Sequence, residues 1–213
     1  MPDTLVRDPL AFLVSLVMKA PALLLAVTVH EVAHGWVANR LGDPTARLAG
    51  RLTLNPLPHI DPVGAIAFVL AGFGWAKPVP VNATNFRHPR RDMAIVAAAG
   101  PLSNFVLAFI GFALWLELQR AGATWLVTEP LGYVYAFNLA LAIFNLIPLP
   151  PLDGGHFLPT FLPRRAGPLL YQLHRYGPLL LIVLVLSGAT RYIIGPLFQV
   201  VTRFFLAIIR LIL

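Results

Sequence analysis

Long apolar runs, separated by short polar stretches that hold most of the charge, set the pattern of this chain. Leu10 to Met18 is apolar but too short to cross a hydrocarbon core about 30 Å thick. Lys19-Ala20-Pro21 interrupts it, which predicts a short helix at or within one leaflet. Pro21 suits the first turn of the next helix, whose pattern runs to Leu41 and stops at Gly42. From Asp43 to Pro62 the chain turns polar. Ala46 to Asn55 alternates in part, with Leu48, Leu52 and Leu54 against Arg47, Arg51 and Thr53, which is the period of a short strand. Pro78 to Phe86 predicts a second strand, restricted to an edge by its prolines. Between them, Val63 to Trp75 is apolar, short and glycine-bearing (Gly64, Gly72, Gly74), with Arg51 before it and Lys77 and Arg87 after it. Positive charge at both ends of so short a segment reads as a re-entrant element and not a full crossing.

Ile95 to Leu116 is a full span preceded by Arg87, Arg90 and Arg91, and small residues in its Ala97 to Asn104 stretch permit close helix packing. Glu117 to Glu129 is a short outer loop. Leu131 to Ile147 returns and ends in the proline-rich break Pro148-Leu149-Pro150-Pro151-Leu152-Asp153, followed by Arg164, Arg165 and Arg175 on the inner side. Pro178 to Leu213 is apolar but broken at Gly188 and Pro196, and reads either as two spans or as one span plus a surface helix. The pattern predicts an all-α polytopic membrane protein of about four to six membrane helices, with a small β-strand and re-entrant element between residues 46 and 86. It forms a single integral-membrane domain over residues 1–213, with no internal repeat or low-complexity tract.

Composition agrees. Of 213 residues 58% are hydrophobic and only 12% charged, and the mean hydropathy is +0.76, well outside the usage of soluble domains. The net charge of +7 (16 Lys+Arg against 9 Asp+Glu) falls in loops between spans, which points to anionic headgroups on the inner face and not to nucleic acid. With no cysteine, disulfide and thiolate chemistry are excluded, and any metal must be held by nitrogen and oxygen. The first apolar run lacks the basic start of a cleavable signal peptide, so the N-terminus is expected to be retained.

Ionisable groups inside an apolar helix need a reason, and the helix ending at Leu41 carries three: His30-Glu31-Val32-Ala33-His34. At this spacing His30 and His34 stand one turn apart on one face and can grip one metal ion. Glu31 lies beside them as a base, the H-E-x-x-H pattern of zinc proteases. With Arg40 at the membrane surface, His34 lies six residues, roughly 9 Å, beneath it. A catalytic zinc takes three protein ligands and one open position. Asp153 is the candidate third, because loop charges place it at the same membrane face as His34 and a buried acid there needs a partner. The plainer readings are a polar cluster that only stabilises packing and, for Asp153, a turn cap. His59, His88, His156 and His174 read as interfacial polar residues, with His156 notable for its closeness to Asp153. Asn138 reads as a residue that packs or hydrogen-bonds across helices.

His30-Glu31-x-x-His34, Asn145-x-x-Pro148-x-x-x-Leu152-Asp153-Gly154 and, in the span between, Ala99-Gly100-Pro101 stand in an order that resembles the site-2 proteases, intramembrane zinc metalloproteases. The resemblance covers a catalytic core of about residues 20–160 and is to the compact form without a PDZ or other appended domain. Asn55 to Pro62 looks like that subgroup too. The resemblance implies one Zn2+ per chain held by His30, His34 and Asp153, with Glu31 as general base and acid. Asn145 would then hold substrate or the developing oxyanion. It implies hydrolysis of peptide bonds within or near transmembrane segments, in regulated intramembrane proteolysis or in clearance of signal-peptide remnants. The partners are then a transmembrane protein or peptide substrate and the lipid bilayer. The protein would be multi-pass in a bacterial or archaeal cell membrane, its active site toward the cytoplasmic face. A membrane metal-binding or transport protein, or a catalytically silent relative that binds membrane helices, is the alternative. The oligomeric state is left open, a homodimer being compatible. The Pro78 to Phe86 edge is expected to hold an unwound substrate by strand pairing.

Overall fold

The computed structural model describes residues 8–71 and 74–212. Its first helix, α1 (Pro9–Arg40), starts where the Asp8 carboxylate accepts from the Ala11 N–H at 2.9 Å and stops at the Leu41 cap. Gly42 follows with φ of 109°, a left-handed turn that glycine adopts without strain. Pro21 lies inside α1 and does not begin a new helix, so the expected break at residues 19–21 is absent. The reason is the solvent. A helix ended at Met18 would leave its last carbonyls open in an apolar setting, whereas an internal proline forfeits only one helical bond.

Beyond α1 come α2 (Thr45–Leu48), a 3-10 turn at Leu57–His59, α3 (Pro62–Ala71), and a 3-10 turn at Ala83–Asn85. Among the described residues this region contains no strand, only an isolated antiparallel bridge between Ile60 and Ala76. Both strand expectations are therefore corrected. At the first, the Asp43 carboxylate accepts from the backbone N–H and the hydroxyl of Thr45, which nucleates a helical turn. The alternation there also points the wrong way: Leu48 and Leu54 are 78% and 70% exposed, while Arg51 is buried. At the second, Pro78 and Pro80 have no N–H, and the Val79 and Asn82 N–H groups go to the carboxylates of Glu31 and Asp43, both at 2.7 Å, not to a neighbouring strand. The chain doubles back after α3. Ten-residue α3 rises about 15 Å, and the returning chain lies so close that a Cβ on Gly64 would fall 2.1 Å from the Trp75 carbonyl oxygen.

The next helix, α4 (Pro89–Arg120), begins six residues earlier than its apolar run, because the Asp92 carboxylate accepts from the His88 N–H at 3.0 Å. It is followed by α5 (Trp125–Asn145), α6 (Asp153–Phe161), α7 (Gly167–Leu186) and α8 (Thr190–Ile212). Gly188, at φ of 69°, separates the last two, and Pro196 lies within α8, so the C-terminal stretch is two helices. Among the described residues five helices (α1, α4, α5, α7 and α8) are long and apolar enough to cross a membrane. The core lies between α1, α4 and α5. Phe112, Tyr135 and Leu139 pack against Phe205 and Ile209 of α8. The Tyr135 hydroxyl hydrogen-bonds to that of Thr202.

Candidate metal centre

Helical spacing does what the sequence predicts: the His30 and His34 rings meet edge to face, 4.6 Å between centroids, with their Nε2 atoms 3.0 Å apart. Both side chains are buried. Each ring is held from behind. His34 Nδ1 is 2.7 Å from the Val96 carbonyl, which can only accept, so that nitrogen carries the proton. His30 Nδ1 is 2.6 Å from Asn104 Oδ1. In neutral imidazoles the lone pairs then lie on the two facing Nε2 atoms.

Asp153 is the first residue of α6, delivered by the proline-rich turn that leaves α5. That turn folds tightly: a Cβ on Gly154 would lie 2.3 Å from the Ile147 carbonyl oxygen, so only glycine permits the approach. Asp153 Oδ2 reaches within 3.1 Å of His30 Nε2 and 3.2 Å of His34 Nε2, and it is a buried oxygen with no hydrogen-bond donor. Two imidazole Nε2 atoms and a carboxylate oxygen thus converge on one point. Their ligand atoms lie within 4.8 Å of one another. A divalent cation satisfies all three, and a two-nitrogen, one-oxygen set with no sulfur suits zinc. Gly100 of α4 closes the back of this pocket, and a Cβ there would lie 2.4 Å from His34 Nε2.

The ligand atoms open into a cavity of about 300 Å³. Glu31, Val79, Asn145 and His156 line it. Glu31 accepts from the Val79 N–H. The Asn145 amide donates to the Leu141 carbonyl at 3.0 Å and retains one N–H and its oxygen. His156, notable in the sequence for its closeness to Asp153, lines this cavity. Burial pushes its imidazole below the ordinary value; Asp153 pulls the other way, and His174 and His34 add to the fall.

Buried side chains hold the cavity wall in place. Asp43 is fully buried at the end of α1. Burial alone pushes its carboxyl up, but hydrogen bonds from Thr45, the Asn82 N–H and the Asn85 amide outweigh that and hold it below the usual aspartate value. Arg51 donates to the Lys77 carbonyl at 2.7 Å. His59 Nε2 donates to the Thr53 carbonyl at 3.0 Å, so the Asn55 to Pro62 segment has a structural part here. Sequence reasoning missed Asn104, which it grouped with the small packing residues of its span. The available signal was an amide in mid-span, which must find partners.

Peptidase family M50 matches residues 18–124 and 115–187. The chain belongs to this family. Over 201 residues this M50 chain is 40% identical to "Putative zinc metalloprotease YwhC" of Bacillus subtilis (strain 168), covering 92% of this chain and 90% of the relative. It is 30% identical over 192 residues to "Putative zinc metalloprotease Rip2" of Mycolicibacterium smegmatis, covering 85% of this chain and 71% of that one. No solved structure matches it. The M50 chain is an intramembrane zinc metalloendopeptidase, an integral multi-pass membrane hydrolase in which the alternatives of transport or silent binding are not favoured.

Proposed function

We propose that His30, His34 and Asp153 hold the zinc, that Glu31 is the general base and acid, and that the site opens to the cytoplasmic face to cut membrane-spanning segments or signal-peptide remnants. The observation that carries this reading is the convergence of two imidazole Nε2 atoms and a carboxylate oxygen, with partners behind the rings that fix their orientation. Zinc, when bound, supplies an activated water and polarises the scissile carbonyl. Glu31, at the cavity wall, takes the proton of the attacking water and passes it to the departing amine. The free amide N–H of Asn145 is placed to donate to the oxygen that gains charge. A membrane helix hides its carbonyls in its own hydrogen bonds, so it must unwind first. Arg87, Arg90 and Arg91 lie at the start of α4, which packs near Ala38 of α1 and its cap residue Leu41, and Arg90 donates to the Leu162 carbonyl; this charge supports an inner-face orientation.

The test is cleavage of a panel of membrane-helix substrates by wild type and Glu31→Ala, with bound zinc measured in both. Zinc retained and cleavage lost in the variant is the expected result. Cleavage at the wild-type rate by Glu31→Ala, or full zinc content in His30→Ala, would sink the assignment.

A further inference from the structure

We propose that Asn104 is a positioning residue that selects which nitrogen of His30 faces the metal, and that two backbone carbonyls on different helices select which end of Asn104 faces His30. This rests on the reading of His30 as a zinc ligand. Asn104 and Asn138 are both fully buried. Asn104 Nδ2 donates to the Ala26 carbonyl at 3.0 Å and to Asn138 Oδ1 at 2.7 Å. A backbone carbonyl can only accept, so the amide nitrogen must lie on that side and the oxygen is left facing His30 Nδ1. Asn138 is oriented by the same rule, because its Nδ2 donates to the Val134 carbonyl at 2.8 Å and leaves its oxygen for Asn104. The carbonyls of Ala26 on α1 and Val134 on α5 therefore set the polarity of the whole chain of amides.

Reversing Asn104 would set its oxygen against two acceptors, the Ala26 carbonyl and Asn138 Oδ1, and break two buried hydrogen bonds. The arrangement thus holds His30 Nδ1 protonated and its Nε2 lone pair toward the metal. His34 needs no such relay, because the Val96 carbonyl faces it directly. The relay also joins the two working parts of the site. Asn145 lies two helical turns beyond Asn138 on the same face of α5, about 10 Å along the axis. Rotation of α5 that moved Asn145 in the cavity would also disturb His30.

The experiment uses the full chain in detergent micelles. Zinc affinity is measured by chelator competition, and the ring protonation state by 15N spectra of histidine-labelled metal-free protein. Asn104→Leu is expected to weaken zinc binding about 10–100-fold and to lose the Nδ1-protonated signal of His30. Asn104→Asp, which keeps an oxygen facing the ring and, with its second oxygen protonated, can still donate to one of the two acceptors behind it, is expected to bind zinc more tightly than Asn104→Leu. Asn138→Leu leaves Asn104 in place but removes one of its anchors, and is expected to weaken zinc severalfold; it also serves if Asn104→Leu does not fold. Zinc affinity within twofold of wild type in both leucine variants, or an unchanged His30 tautomer, would overturn the proposal even if those variants melt earlier, since that is the behaviour of helix glue. Undiminished zinc in His30→Ala overturns the ligand assignment instead, so the two failures are distinguishable.

Discussion

Gly100→Ala adds one methyl group at the back of the metal pocket. In an open helix that change stabilises by about 1 kcal/mol, because alanine is the better helix former. At residue 100 the new Cβ would sit 2.4 Å from His34 Nε2 and 2.6 Å from Cε1 of both His30 and His34. Carbon contacts settle at about 3.5–4.0 Å, so the rings must retreat by about 1 Å or α4 must move off α1. Neither is free. The rings are fixed at their far side by bonds of 2.6 and 2.7 Å, and overpacking of this kind costs about 1–3 kcal/mol. The clash therefore outweighs the helix-propensity gain, and lost ligand alignment should weaken metal binding by about 10–100-fold, as loss of an orienting partner does. Gly195 is the matched control, since a Cβ there meets nothing within 4 Å. The assay is zinc affinity by chelator competition together with thermal melting of the metal-free protein, for both variants. Gly195→Ala should match or exceed wild type in stability and bind zinc normally, whereas Gly100→Ala should lose both. Zinc affinity for Gly100→Ala within twofold of wild type would refute the geometric reasoning.

Other variants probe the walls of the cavity. Asp43 has a folded-state pKa below its unfolded value of about 3.9, so its stabilisation is present above that value and is lost as pH falls through it toward the lower folded value. Melting temperature should therefore fall more steeply below about pH 4 in wild type than in Asp43→Asn, and equal slopes would show that Asp43 contributes nothing. Arg51→Ala leaves the Lys77 carbonyl without its donor and should cost about 1–3 kcal/mol, with faster limited proteolysis between residues 74 and 86. Protection equal to wild type would argue that the loop is held by other means. Val79→Pro removes the N–H that orients Glu31. It should lower cleavage by up to about 100-fold with zinc content unchanged, and an unimpaired rate would place Glu31 under other control.

Local rules sufficed for much of this molecule. Hydrophobic runs give span number because bilayer thickness sets helix length. The i, i+4 spacing puts His30 and His34 on one face whatever surrounds them. Loop charge brought Asp153 to the same depth as His34 although they are 119 positions apart. Local rules failed where long-range partners overrule the pattern. Residues 46–55 and 78–86 read as strands, yet the Thr45 and Asn82 N–H groups go to Asp43, the Val79 N–H goes to Glu31, and the buried cation Arg51 donates to the Lys77 carbonyl. Pro21 marks a helix start by local preference, but apolar surroundings make an open helix end costlier than an internal proline.

By itself the sequence determined the polytopic helical class, the placing of His30 and His34 on one helix face and the kind of residue that could complete a metal site with them, because these follow from periodicity, composition and the bilayer. Only the tertiary structure decided which nitrogen each histidine presents. That depends on how α4 is rotated against α1 and α5, so that Val96, Gly100 and Asn104 meet the two rings. Helix rotation is set by packing between elements distant in sequence, and no local pattern encodes it.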